Sequence, residues 1–174
     1  MTVYATMDSP LGRLLLAGEA SNRGEVALSA VSYADHGGSA QPGWTEDPTA
    51  FADVTGQLDE YFDGRRTGFD LTRAETGTAF QRRVWDALDA IPYGVTTTYG
   101  ALATEVGAPR DRIRAVGAAV GANPLLIVRA CHRVIGADGS LTGYAGGVPR
   151  KADLLTLEGA LLPLPDPRAR TRRS

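Results

Sequence analysis

The apolar and polar positions near the start of the chain alternate as they do in a small β-sheet. Residues 3–7 and 13–17 predict two strands, and the Asp-Ser-Pro-Leu-Gly segment at 8–12 predicts a turn that joins them as a hairpin. Residues 25–33 predict a third strand. The pattern therefore favours a sheet built from three consecutive strands.

A helix is predicted after residues 35–48, a loop rich in glycine, proline, aspartate and serine. Asp47 and Pro48 supply an N-cap and a first-turn proline. The apolar stripe that follows has helical spacing and consists of Phe51, Val54, Leu58, Tyr61 and Phe62. Gly64 is expected to end the helix. Residues 1–76 are thus expected to form a three-stranded α/β domain, and nothing in them has the pattern of a functional site.

Residues 77–159 predict a second, mainly helical domain. Thr78 and Gln81 form a capping box at the start of its first helix. The buried stripe of that helix is expected to consist of Phe80, Val84, Leu88 and Ile91, with Trp85 beside it. Two shorter helices, at about 99–106 and 111–122, flank a glycine-containing turn, which makes them a candidate helix-turn-helix.

The second helix of this pair has an unusual surface. Its inward face is expected to consist of Ile113, Val116 and Val120. Arg114 projects from an adjoining face whose other residues, Ala118 and Gly121, are small, and Gly117 lies next to that face. An interior glycine costs a helix roughly 1 kcal/mol relative to alanine, so the pattern predicts that something large approaches closely. Another helix and a DNA groove both satisfy that expectation.

The rest of the second half predicts a short buried strand, a flexible loop and a last helix. The apolar residues 125–128 are consistent with the strand, and residues 143–147 with the loop. A helix is predicted at 150–158. Residues 160–174 contain three prolines and four arginines, and they predict a disordered tail.

Composition and hydropathy indicate a globular chain outside the membrane. Hydrophobic residues make up 43% of the 174 positions and charged residues 22%, which is ordinary for a soluble protein. No apolar run approaches the ~20 residues that span a bilayer, and the N-terminus lacks a signal-peptide pattern. A single cysteine fits a reducing compartment, so we expect a cytoplasmic protein.

The charge is divided unevenly along the chain. Residues 1–76 carry 5 Arg against 12 Asp and Glu, a net charge of −7, whereas residues 77–174 carry 13 Lys and Arg against 8 Asp and Glu, a net charge of +5. Only the second half would then meet an anionic partner such as nucleic acid. Since four of its arginines lie in the tail, a chance partition explains the same numbers.

Cys131 is the only cysteine, followed directly by His132. It excludes an internal disulfide and a cysteine-built metal site, which leaves a buried inert thiol or a nucleophile activated by a nearby base. Ala137 stands where a tyrosine-phosphatase loop needs arginine, and His36 lacks the pattern of a papain-like protease. Adjacent residues on a strand point to opposite faces, so Cys131 and His132 can cooperate only through a turn or a bridging water.

Two further residues are candidates for the surroundings of the thiol. Glu158 is the natural partner to orient His132. Asn123 can donate a hydrogen bond to a pocket, or it can simply be a turn residue before Pro124. Local sequence does not separate the two interpretations.

Spaced motifs from Thr78 to about Gly159 resemble one family. They are, in order, Phe80-Gln81-x-x-Val84-Trp85, Ile91-Pro92-Tyr93-Gly94, Thr98-Tyr99-Gly100-x-Leu102-Ala103, Arg114-Ala115-Val116-Gly117, Asn123-Pro124, Cys131-His132-Arg133-Val134-Ile135 and Leu141-Thr142-Gly143-Tyr144-x-Gly146-Gly147-x-x-x-Lys151. Together they resemble the O6-alkylguanine-DNA alkyltransferases, also called methylated-DNA–protein-cysteine methyltransferases.

The resemblance implies an α/β (α+β) fold, with an N-terminal ribonuclease-H-like domain and a winged-helix-like domain that contains the helix-turn-helix. It also implies DNA repair by direct reversal. A single methyl or other alkyl group would pass from O6 of guanine, with O4 of thymine as a further substrate, to Cys131. Each molecule would act once, on alkylated double-stranded DNA, as a monomer without metal or cofactor.

The resemblance also implies roles for individual residues. His132, backed by Glu158, would deprotonate Cys131 through a water, and Asn123 would complete the catalytic group. Tyr99 would help to rotate the damaged nucleotide out of the duplex, and Arg114 would fill the gap. The helix that enters the minor groove would carry Ala115, Gly117, Ala118 and Gly121. The substrate pocket would be lined by Val134, Leu141, Tyr144, Ala145 and Gly146.

Three positions depart from the family pattern. Ala130 stands where the family usually has proline, and Arg129 stands where it usually has an apolar residue. The chain also has one residue more before Arg114 than the commonest family spacing. Because an unpaired buried charge is costly, Arg129 is expected to reach solvent, contact phosphate or pair with a carboxylate.

Two alternatives compete with the repair methyltransferase. One is a protein that binds alkylated DNA without transfer; alkyltransferase-like proteins of that kind replace the nucleophilic cysteine, whereas Cys131 is present. The other is a transcription regulator, which the shortage of base-reading side chains on the second helix disfavours.

Overall fold

The first half of the chain forms a twisted sheet covered by one helix. The computed structural model describes residues 1–74 and 76–160. The antiparallel strands are β1 (Thr2–Ser9), β2 (Gly12–Ala20) and β3 (Val26–Tyr33). A two-residue strand, β4 (Thr45–Glu46), pairs in parallel with β1 at the sheet edge. The three predicted strands are confirmed, and β4 lies inside the segment predicted to be a loop.

The helix of the first half, α1 (Ala52–Phe62), begins as the sequence predicts. The Asp47 side chain accepts a hydrogen bond from the Ala50 amide, and Pro48 opens a 3-10 turn that leads into the helix. Phe51, Leu58 and Tyr61 are fully buried. Side-chain capping and apolar spacing, both local features, therefore suffice to place this helix.

The second half is mainly helical. Its helices are α2 (Ala79–Asp89), α3 (Tyr99–Glu105), α4 (Ile113–Gly121) and α5 (Val148–Leu157), and its only regular strands in the described residues are β5 (Thr97–Thr98) and β6 (Val134–Ile135), which pair in parallel. Both hydrogen bonds of the predicted capping box at Thr78 and Gln81 are present. The fold is thus of the mixed α/β class that the sequence predicts.

The strand predicted at residues 125–128 is wrong. Leu125 makes a single bridge to Val31, and the backbone then folds into consecutive turns in which the Val128 amide donates to the Leu126 carbonyl. Ile127 has a φ of 72°, which no strand residue adopts. The run is apolar because all four residues are buried, and burial alone does not distinguish a strand from a packed turn.

The predicted inward position of Ile113 is also wrong, since the residue is 41% exposed. Residues Arg110–Arg112 form a 3-10 turn, so α4 begins at Ile113, two residues later than predicted. Ile113 is therefore the first residue of α4 and precedes the turns of the helix that pack on the core. Val116 and Val120, in those turns, are buried as predicted.

Both halves contribute to one hydrophobic core. The Val31 amide donates to the Pro124 carbonyl, and the Leu126 amide donates to the Val31 carbonyl, so β3 is joined to the segment that follows α4. Across residues 1–74 and 76–160, none of the helices has the length and apolar character that crossing a membrane requires. The predicted disordered tail lies, apart from Ala160, outside the described residues.

Candidate active site

Cys131 lies in a tight turn at the wall of a cavity. Residues Cys131–Arg133 form one 3-10 turn, and Cys131 is 5% exposed. The cavity has a volume of about 290 Å³, close to the small end of ligand pockets at about 300 Å³. Its lining consists of Tyr99, Gly117, Val120, Gly121, Leu126, Cys131, Gly143, Tyr144 and Ala145. The sulfur is therefore placed where it can meet a small group that enters the cavity.

His132 is fully buried beside the cysteine, and its Nε2 lies 2.8 Å from Oε2 of Glu158. Glu158 follows the last residue of α5 as its C-cap, so the end of this helix brings the carboxylate to the histidine. The sequence names Glu158 as the natural partner of His132 without showing that they meet, and the structure brings the two side chains together. Because the segment is a 3-10 turn and not a strand, the opposite-face geometry expected of adjacent strand residues does not apply.

The carboxylate of Glu158 accepts hydrogen bonds from three residues. Besides His132, the Tyr61 hydroxyl donates to Oε2 at 2.5 Å, and Arg133 donates from Nε to Oε1 at 2.7 Å and from a terminal nitrogen to Oε2 at 3.0 Å. Burial opposes ionisation of this group, but the hydrogen bonds from His132 and Arg133 lower the pKa of Glu158 to about 2. Glu158 is therefore a carboxylate at neutral pH.

An ionised Glu158 fixes the tautomer of His132. A carboxylate can only accept, so the ring proton lies on Nε2, and Nδ1 carries a lone pair. Burial lowers the pKa of His132, so the ring is neutral at pH 7. Nδ1 is buried and makes no hydrogen bond within the described part of the chain. The ring thus presents an unprotonated nitrogen, as a general base must.

The thiol itself is held in its protonated form. Burial raises the pKa of Cys131, while a hydrogen bond from Asn123 and the positive charge of Lys151 act in the opposite direction. The resting protein therefore holds little thiolate, and a base has to remove the proton during any reaction.

Asn123 is buried and closes the turn that precedes the cysteine. Its Nδ2 donates to the carbonyls of Leu125 and Arg129, and its Oδ1 accepts from the Leu125 amide at 3.0 Å. This geometry agrees with the interpretation of Asn123 as a turn residue, and the same side chain also acts on the thiol. Its role as a donor to the pocket stays a prediction.

The cavity mouth is formed by small residues of α4 and by Tyr99. Gly117 and Gly121 line the cavity, Ala115 is half-buried, and Ala118 and Arg114 are exposed on the neighbouring surface. The Tyr99 hydroxyl donates to the Thr142 carbonyl at 3.3 Å. Small residues of α4 therefore line the cavity, with the exposed Arg114 on the same helix.

Of the five residues predicted to line the pocket, Tyr144 and Ala145 face this cavity. The other three lie elsewhere: Val134 is fully buried in β6, Gly146 packs against the Tyr33 ring, and Leu141 is half-buried in the loop before Tyr144. Their contact with a substrate stays a prediction.

The sequence predictions assign no role to four residues near the site. Tyr61 and Tyr33 come from the first half, in which no site residue was expected, and the Tyr33 hydroxyl lies 3.1 Å from that of Tyr144. Lys151 is buried and donates to the carbonyls of the loop that lines the cavity. Arg133 and Lys151 are positions of the family motifs, and that is the signal they carry. Tyr33 and Tyr61 carry no such signal, since each fits the buried side of a predicted strand or helix.

Arg129 is 2% exposed and pairs with a carboxylate, which is one of its three expected solutions. Its Nε lies 3.5 Å from Oδ1 of Asp89. Among the described residues, no three histidine, cysteine, aspartate or glutamate side chains cluster closely enough to hold a metal ion.

A buried cysteine with an oriented neutral histidine, opening into a small cavity, defines a cysteine-nucleophile enzyme. Residues 2–73 match the model of the 6-O-methylguanine DNA methyltransferase ribonuclease-like domain, and residues 79–160 match that of the DNA binding domain of the same family. The chain belongs to this family of methylated-DNA–protein-cysteine methyltransferases, which confirms the resemblance.

Individual relatives agree. The methylated-DNA–protein-cysteine methyltransferase of Mycolicibacterium paratuberculosis is 49% identical over 158 residues, which is 91% of this chain and 93% of the relative. The crystal structure of Mycobacterium tuberculosis OGT in complex with DNA has a TM-score of 0.82 and 47% identity over 91% of this chain and 93% of that one. A second crystal structure, that of the O6-methylguanine methyltransferase of the same organism, has a TM-score of 0.81 and covers 94% of this chain and 96% of that one.

Proposed function

We propose that this protein repairs DNA by direct reversal, transferring one alkyl group from O6 of guanine in double-stranded DNA to Cys131. The observation that carries the proposal is the thiol in its small cavity, next to a histidine whose tautomer is fixed by Glu158. The family membership and the DNA complex of a relative support the substrate.

In the proposed reaction, His132 Nδ1 takes the thiol proton through a water molecule, and the sulfur attacks the alkyl carbon in line with the bond to O6. The sulfur–carbon bond forms while the carbon–oxygen bond breaks. The electron pair of the broken bond stays on guanine, which takes up a proton. The product is a thioether, a stable group that the chain has no means to remove, so each molecule acts once.

Access to the base requires the nucleotide to leave the duplex, because O6 of a stacked guanine cannot reach a buried sulfur. We propose that α3 and α4 act as a helix-turn-helix that enters the minor groove through Ala115, Gly117, Ala118 and Gly121. Tyr99, at the cavity mouth, would turn the nucleotide, and Arg114, exposed nearby, would occupy its place. The exposure of Arg114 and the small side chains of α4 support this arrangement.

The chain would act as a monomer, because one chain holds the thiol, the base and its carboxylate. It would act in the cytoplasm. Residues 1–76 and 77–159 would form its two domains, with 160–174 as a tail.

The experiment mixes the protein with a duplex that contains one O6-methylguanine and measures the bases after digestion. We expect guanine to replace O6-methylguanine in amounts equal to the protein added. Cys131→Ser should bind the same duplex and leave the lesion unchanged. If the native protein binds the lesion without changing it, the protein is a binding factor that signals to another pathway, and the proposal is wrong.

A further inference from the structure

Arg129 is a buried arginine two residues before the nucleophile. Burying a guanidinium is costly unless it is paired, and this one has two contacts on α2. Its Nε lies 3.5 Å from Oδ1 of Asp89, and its Cζ lies 5.1 Å from the centroid of the Trp85 ring. A side chain held by both an ion pair and a ring has little rotational freedom.

The part of α2 that holds Arg129 is itself fixed. Trp85 donates from its indole nitrogen to the Ala119 carbonyl of α4 at 2.8 Å. Asp89 also accepts a hydrogen bond from Arg73 at 2.8 Å. The contacts of Arg129 are thus tied to α4 on one side and to the end of the first half on the other.

The backbone of Arg129 is hydrogen-bonded to the backbone of Cys131. Its carbonyl accepts hydrogen bonds from the Cys131 amide at 2.8 Å and from Asn123 Nδ2 at 3.4 Å, and its amide donates to the Leu125 carbonyl at 2.9 Å. Only Ala130 separates the two residues, with φ −79° and ψ 44°. Any displacement of the Arg129 backbone is therefore passed directly to the cysteine.

We propose that Arg129 is a positioning residue, whose guanidinium, anchored on Asp89 and Trp85, holds the backbone turn that places Cys131 at the cavity wall. This inference rests on the proposed function. A reacting atom misplaced by ~1 Å can cost about a hundredfold in rate, so the anchor acts on the rate of transfer and not on DNA binding.

The test compares Arg129→Ala with the native protein and with Arg13→Ala, a matched control in which an exposed arginine loses its partner Asp8. Three quantities are measured: the single-turnover rate constant of methyl transfer at saturating duplex with O6-methylguanine, the Kd for that duplex, and the Tm. We expect Arg129→Ala to lower the rate constant about tenfold or more. Its Kd should be unchanged, and Arg13→Ala should match the native protein in all three.

A second substitution distinguishes an effect on the placement of Cys131 from an effect on the stability of the whole protein. The φ of Ala130 lies within the range of proline, so Ala130→Pro restricts the same turn without the arginine. We expect Arg129→Ala/Ala130→Pro to recover part of the lost rate constant. If Arg129→Ala does not fold, Asp89→Asn is measured in the same assays. It should lower the rate constant of methyl transfer and leave the Kd unchanged.

The inference is overturned if a folded Arg129→Ala, or Asp89→Asn in its place, transfers methyl groups at the native rate constant. It is also overturned if the loss appears entirely in Kd or if proline restores nothing. A native protein that transfers no methyl group contradicts the proposed function, and this inference with it. An active native protein with an equally active variant contradicts this inference alone.

Discussion

Replacing Glu158 with glutamine removes the acceptor on which His132, Arg133 and Tyr61 converge. The amide has one acceptor oxygen in place of two, and its NH₂ group would face donors. Arg133, 8% exposed, would lose its buried counter-charge. The substitution therefore tests the stability and the chemistry of the site together.

The expected loss of stability can be estimated in two ways from the same buried contacts of Glu158. Lowering the pKa of Glu158 from 4.5 to about 2 corresponds to about 3 kcal/mol of preference for the folded state at neutral pH. Breaking a buried ion pair by removing one partner costs about 3–5 kcal/mol. We thus expect Glu158→Gln to lower the free energy of unfolding by about 3 kcal/mol, measured by urea denaturation at pH 7.

The sign of the pH dependence is fixed by the direction of the shift. Because the pKa of Glu158 is lower in the folded state, this group stabilises the fold fully above pH 4.5, and the stabilisation is lost as the pH falls toward 2. The difference between native protein and variant should shrink over that window. Glu60→Gln is the control, because Glu60 is 38% exposed and pairs with Arg66 at 3.5 Å; it should cost about 1 kcal/mol or less.

The rate of transfer should fall as well, because His132 loses the group that fixes its tautomer. We expect a decrease of about a hundredfold in the single-turnover rate constant, the lower end of general-base contributions. A variant that is as stable as Glu60→Gln and transfers methyl groups at the native rate would refute the proposed role of Glu158.

Three further predictions concern single groups. Alkylation of Cys131 by iodoacetamide, without DNA, should keep rising above pH 9.0, because burial raises the pKa of this thiol; a plateau below that pH would contradict the assignment. Tyr61→Phe should cost about 2 kcal/mol in urea denaturation, since the hydroxyl donates to a buried carboxylate, and an unchanged midpoint would show that this bond contributes nothing. Thr78→Ala should cost about 1 kcal/mol through the lost N-cap of α2 while the transfer rate stays native; a slower transfer would link α2 capping to the site.

Local chemistry explains which parts of the fold could be predicted. The Asp47 cap and the Thr78–Gln81 capping box depend on residues within one turn, and both are present as predicted. The strand prediction at 125–128 is wrong because an apolar tetrapeptide fits a strand or a buried turn, and Val31, which bridges to Leu125, lies far away in the sequence. Non-local contacts are not encoded in such a pattern.

In the candidate site, too, local motifs could be predicted and long-range contacts could not. Cys131 and His132 stand inside one of the spaced motifs and Glu158 is a candidate partner, but only the structure shows that Glu158 lies beside His132. The contact of Tyr61 with Glu158 joins residues 97 positions apart, and a tyrosine on an apolar helical face gives no sign of it. Arg129 departs from the family pattern in the sequence alone, but its pairing with Asp89 depends on how α2 packs beside the turn, which the sequence does not give.

The most direct test of the account is a peptide mass measurement after the protein is mixed with excess duplex containing O6-methylguanine. We predict one methyl group per protein molecule, located on Cys131, and no further repair once every molecule carries it. A methyl group on another residue, or a protein that repairs several lesions per molecule with an unmodified Cys131, would contradict the account.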